Sequence, residues 1–139
     1  MAREETKEGW HVLARLDSKE GRGMNGSGAS FSAKVVGLDD DSLVVLSGEL
    51  DMATASELTG VLDQLVARGS REVVLDLSGL TFIDSSGIAS LVDAQHRLSE
   101  QGRELSVHGA RHSALRVFEI SGLVDFLHVR SEAVEESPN

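Results

Sequence analysis

The stretch VVLDLSGLTFIDSSGIASLV, residues 73–92, decides how this chain reads. It enters as a nearly unbroken apolar run. EVVLDL, residues 72–77, predicts a strand at the centre of a sheet, covered on both faces. It leaves as an amphipathic helix, with Ile88, Leu91, Val92, Gln95 and Leu98 on one face and Gly102 as the stop. Asp84, Ser85, Ser86 and Gly87 fill the junction. Asp and Ser are favoured N-caps because their oxygens accept the orphan N–H groups of a first helical turn. A serine at the same place also lies on the exposed rim of the sheet, at the positive end of a helix. A phosphate there would add about −1.5 to −2 charges. Local chemistry leaves both roles open, and it barely separates Ser85 from Ser86.

Working outward, the patterns alternate. ASFSAKVV puts Phe31, Ala33 and Val35 on one face, as a strand does. DDDSLVVLSGEL gives a loop and a second strand at about 43–47, close enough for an antiparallel hairpin. In DMATASELTGVLDQLVARGS, residues Leu58, Val61, Leu62, Leu65 and Val66 form a helical stripe. Thr54 with Glu57 reads as its capping box and Gly69 as its stop. ELSVHG is a further strand. RHSALRVFEISGL is a third helix, with Ala114, Leu115, Val117 and Phe118 inward and Gly122 as cap. DFLHV, residues 125–129, is a last short strand. The expected fold is a single α/β domain over residues 29–130, with a mixed, mostly parallel sheet and helices in the order β-β-α-β-α-β-α-β. Helical crossovers imply right-handed connections.

The ends differ from this core. SKEGRGMNGSG, residues 18–28, is Gly-rich and polar, so residues 1–28 are expected to form a flexible extension. Within it WHVLARL, residues 10–16, fits neither the helical nor the strand period and stays undecided. Met24 is an alternative start. SEAVEESPN, residues 131–139, is expected to be an acidic flexible tail.

Composition excludes several functions. The 139 residues carry a formal charge of −10, which repels nucleic acid and anionic membranes and favours basic protein partners. There is no cysteine, hence no thiolate chemistry. No apolar run is long enough to span a bilayer, and MAREETKEGW lacks a signal core. A soluble cytoplasmic protein, with no membrane insertion and no direct nucleic acid contact, is the expectation. GRGMNG, residues 21–26, spells G-x-G-x-x-G, but it precedes a strand instead of following one and opening a helix. No P-loop and no G-x-S-x-G elbow occur. His96 is not placed to activate the serines, and His108 and His112 straddle an element boundary. No cofactor, no metal and no catalytic residue are expected.

Three separated segments together resemble the STAS domains of bacterial anti-sigma factor antagonists. These are LSGELDMATASEL, VVLDLSGLTFIDSSGIASLV and ALRVFEISGLVDFL, in that order, and the likeness spans about residues 30–130. The resemblance implies a partner-switching phosphoprotein that acts in sigma factor regulation and is not itself an enzyme. The unmodified antagonist binds an anti-sigma factor that is also an ATP-dependent serine kinase, and a sigma factor is freed. Phosphorylation of the serine after the motif aspartate separates the pair, and a serine phosphatase resets the switch. Carried over, the phosphoacceptor is Ser85, and Asp51, Asp84, Ser85, Ser86 and Gly87 form the partner-binding rim. Two other readings belong to the same domain class: an accessory subunit of a lipid-transport ATPase complex, and a ligand-sensing STAS domain.

Overall fold

The computed structural model describes residues 5–7, 10–18, 31–38, 40–132 and 134. Six strands lie side by side in chain order: β1 (Glu5–Lys7), β2 (Trp10–Ser18), β3 (Phe31–Leu38), β4 (Asp41–Leu50), β5 (Glu72–Ile83) and β6 (Glu104–His108). Neighbours from β1 to β4 are antiparallel, and β4, β5 and β6 are parallel. The helices are α1 (Met52–Arg68), α2 (Ser85–Ser99) and α3 (His112–Ser121). Successive crossovers in one direction put α1 and α2 on the same face of the sheet. There they touch through Thr59 Oγ1 and Ser90 Oγ at 2.9 Å and through the Arg97–Asp63 ion pair.

The core lies between the sheet and the helices. Phe31, Ala33 and Val35 of β3 face Leu58, Leu62 and Leu65 of α1 and Ile88, Leu91, Ala94 and Leu98 of α2 in one buried cluster, which Phe118 of α3 extends. The α1 and α2 stripes expected from periodicity supply most of these residues. Gln95 stands on the apolar face of α2 for a reason. It is buried, accepts from the Leu105 N–H and donates to the Phe126 carbonyl, both at 2.9 Å, so it ties α2 to β6 and to the chain beyond α3. Gly69 and Gly122 close α1 and α3 in the left-handed conformation, as expected of stops.

The structure departs from the sequence reading at four places. β5 does not stop at Leu77 but runs on to Ile83. Its register against β4 slips between Val45 and Ser47 and again between Gly48 and Glu49, so the extra residues of β5 are absorbed as bulges. Gly79 permits this, because a Cβ there would lie 3.0 Å from both the Leu46 carbonyl oxygen and Ser47 Cβ. The capping box of α1 is Asp51 with Thr54, three residues earlier than Thr54 with Glu57. The last expected strand, residues 125–129, shrinks to a single parallel bridge, Val107 to Val129. Residues 124–128 turn instead, and His128 has φ 50, which breaks an extended chain.

The fourth departure concerns the expected extension, residues 1–28. Two strands of the sheet fall inside it. Residues 10–16, left undecided above, belong to β2, which pairs with β3 from His11↔Gly37 to Ser18↔Phe31. A register shift between Val12 and Ala14 interrupts the alternation, which is why the segment fits neither period. GRGMNG, Met24 and residues 135–139 of the acidic tail lie outside the described residues.

Candidate functional site

Two helices begin side by side where β4 and β5 end. The parallel register pairs Leu50 with Ile83, the last residue of each strand. Asp51 and Asp84 follow, and each is the N-cap of its helix with an extended backbone. The junction is fastened directly, since the Asp84 N–H donates to the Leu50 carbonyl at 3.2 Å.

At α2 the cap is Asp84 alone. Its Oδ1 accepts from the Ser86 N–H at 2.9 Å and the Gly87 N–H at 3.2 Å. That answers whether the serines cap: neither does. Ser85 is the first helical residue and is exposed, and Ser86 follows, half-buried. Gly87 is buried. A Cβ on it would meet the Leu50 side chain at 2.7 and 2.8 Å and Ile83 Cγ1 at 3.1 Å, so a side chain there would force α2 off the end of β4. Ser90, one turn on, directs its hydroxyl to Thr59.

At α1 the cap is reciprocal. Asp51 Oδ1 accepts from the Ala53 and Thr54 N–H groups at 3.0 and 3.1 Å. Thr54 Oγ1 accepts from the Asp51 N–H at 3.0 Å and donates to the Glu49 carbonyl at 2.9 Å. Thr54 is buried at 1% exposure, so its hydroxyl is fully committed to the fold.

The structure therefore brings together every residue singled out from the sequence: Asp51, Asp84, Ser85, Ser86 and Gly87 share one rim. Sequence reasoning missed Leu50, which fills the space a side chain at Gly87 would take. It also missed the capping role of Thr54 toward Asp51, although D-x-x-T is a readable spacing. Among the described residues, the groups that titrate away from their ordinary values stand away from the rim, Arg97 in the last turn of α2 and His108 at the end of β6. Arg97 is held higher by its hydrogen bond to Asp63, and His108 is pushed lower by burial and then by the charge of Arg130. Among the described residues no cluster of three or more His, Asp or Glu could hold a metal ion, and no helix is long and apolar enough to cross a membrane.

An α/β domain whose parallel strands end on a rim of capped helix N-termini defines the class. The family profile described as "Mlab, STAS domain" matches residues 34–129, and the chain belongs to the STAS-domain family. It is 35% identical over 86 residues to the anti-sigma-B factor antagonist of Staphylococcus aureus (strain NCTC 8325 / PS 47), covering 62% of this chain and 80% of that protein. The crystal structure of an anti-sigma factor antagonist from Mycobacterium paratuberculosis matches with a TM-score of 0.66 at 30% identity, over 72% of this chain and 85% of that one. The phosphorylated form of the Bacillus cell fate determinant SpoIIAA shares the fold, with a TM-score of 0.57 at 21% identity over 70% and 86% of the two chains. β1 and β2 lie outside the span that the family profile matches.

Proposed function

We propose that this chain is a cytoplasmic anti-sigma factor antagonist, a binding module and phosphorylation substrate, not an enzyme. Unmodified, it docks an anti-sigma factor that carries serine-kinase activity, and the sigma factor is released. Ser85 Oγ attacks the γ-phosphorus of the partner's ATP, ADP leaves, and the hydroxyl proton passes to the kinase. A serine phosphatase returns the hydroxyl by hydrolysis.

The observation that carries this reading is the division of labour at the head of α2. Asp84 caps the helix by itself, and among the described residues no hydrogen bond engages Ser85 Oγ, which stands exposed at the first helical position. A phosphate there faces the positive end of the helix, which offsets part of its charge, and the Asp84 carboxylate, which opposes it. The domain stays folded while the rim gains about two negative charges. A partner that fitted the neutral hydroxyl then meets a charge it must desolvate.

The experiment is titration calorimetry of an anti-sigma factor against unmodified chain, enzymatically phosphorylated chain, Ser85→Asp and Ser85→Ala. Unmodified chain and Ser85→Ala should bind alike, phosphorylated chain should lose at least tenfold in affinity, and Ser85→Asp should lose less because it brings one charge. Equal binding by all four would refute the switch. Fragmentation mass spectrometry places the phosphate, and finding it on Ser86 would move the acceptor.

A further inference from the structure

The large apolar side chains left exposed among the described residues are Met52, Phe82 and Ile120. Ile120 stands near the end of α3, whereas Met52 and Phe82 both belong to the rim. Met52 is the first residue of α1, directly after the cap Asp51, and is 75% exposed. Phe82 precedes Ile83 in β5 and is 46% exposed. The register pairs Phe82 with Glu49, three residues before Met52. At about 3.3 Å per residue and about 4.8 Å between strands, their backbones lie on the order of 10 Å apart.

The fold explains why Phe82 is bare and gives neither residue a task. β5 pairs with β6 only as far as Asp76↔His108, yet it continues to Ile83 with β4 as its neighbour. Phe82 therefore sits on an overhang. Ile83 turns into the core at 6% exposure, so Phe82, the preceding residue of an extended chain, points to the opposite face. Neither Met52 nor Phe82 joins the core cluster or packs against it.

The charges along the two segments that bear them have one sign. Residues 48–58 and 81–93 carry Glu49, Asp51, Glu57, Asp84 and Asp93 and no Lys or Arg. The geometry points to Met52 and Phe82 as two apolar anchors on the rim that carries Ser85, one heading α1 and the other on the sheet face away from α1 and α2, fitting a partner protein whose docking face is apolar and bordered by Lys or Arg. This rests on the rim being the partner surface proposed above. It divides the work of that surface. The anchors supply affinity by leaving water, the acidic border steers encounter, and Ser85 supplies the switch.

The test takes a purified anti-sigma factor that binds the wild-type chain and titrates it with Met52→Ser, Phe82→Ser, Phe82→Leu, Ile120→Ser and Ser85→Asp. Melting curves show that each variant is folded, and Phe82→Leu keeps an apolar residue on the strand should the serine variant unfold. Met52→Ser and Phe82→Ser should each lose roughly tenfold or more in affinity, Phe82→Leu less, and Ile120→Ser less than about twofold. If Ser85→Asp weakens binding while the Met52 and Phe82 variants bind like wild type, the switch stands and the anchors fall. If all of them bind like wild type, docking lies elsewhere and both readings fall. A loss at Ile120→Ser as large as at Phe82→Ser would overturn the assignment of the anchors to the rim.

Discussion

The two helix starts on the rim share a plan and differ in where the hydroxyl goes. Each begins with an aspartate that caps the first turn. At α1 the third helical residue is Thr54, buried, with its hydroxyl bound to the Asp51 N–H and the Glu49 carbonyl, while the first residue is Met52. At α2 the third residue is Gly87, with no side chain at all, and the hydroxyl has moved to the first residue, Ser85. The N–H of Asp84, which a third-position hydroxyl would otherwise satisfy, donates instead to the Leu50 carbonyl of the neighbouring strand. The same capping chemistry thus serves structure at α1, and at α2 it leaves a hydroxyl in solvent. Position in the first turn, not residue type, separates a committed hydroxyl from an available one.

The contrast is broken most severely at Gly87. Gly87→Val should cost about 3 kcal/mol or more in denaturant unfolding, because its side chain collides with Leu50 and Ile83 where a single Cβ already comes within 2.7 Å. A Gly87→Val protein as stable as wild type would mean that α2 does not sit against Leu50.

Next come the two caps. Thr54→Val keeps the volume but removes the hydroxyl that bonds the half-buried Glu49 carbonyl and the Asp51 N–H, for about 1–3 kcal/mol. Asp84→Ala removes one N-cap side chain at a half-buried site, for about 0.5–2 kcal/mol. Urea titration of both proteins should rank Thr54→Val as the more destabilised. The reverse order would show that the reciprocal box contributes less than the single cap.

The smallest effect sharpens the comparison. Ser85→Ala and Ser86→Ala should each stay within about 0.5 kcal/mol of wild type, since neither hydroxyl caps the helix. A melting temperature clearly lowered in either variant would return that serine to a structural role.

Legibility in the sequence followed the range of the interactions. The stripes of α1 and α2, the stops at Gly69 and Gly122 and the alternation of Phe31, Ala33 and Val35 were readable because they are local and periodic. The cap of α1 was misplaced because Thr54 and Asp51 are both good N-caps, and burial at the sheet decided between them. The end of β5 was misplaced because the apolar run breaks at Ser78 and Gly79, whereas pairing with β4 through Gly48↔Leu80 and Glu49↔Phe82 carries the strand on. β2 stayed ambiguous because a register shift broke its alternation, and its pairing to β3 is seen only in the assembled sheet.

By itself the sequence determined the order of elements from β3 to α3, the apolar faces, the aspartate-serine-serine-glycine junction and the likeness to anti-sigma factor antagonists. All of these rest on residues near one another along the chain. Only the tertiary structure decided that Asp84 alone caps α2, that Ser85 is left exposed, that Leu50 fills the space beside Gly87, and that Met52 and Phe82 share the rim with both caps. The last two of those facts depend on residues thirty or more positions apart. They are set by the parallel register of β4 against β5, which no local period encodes.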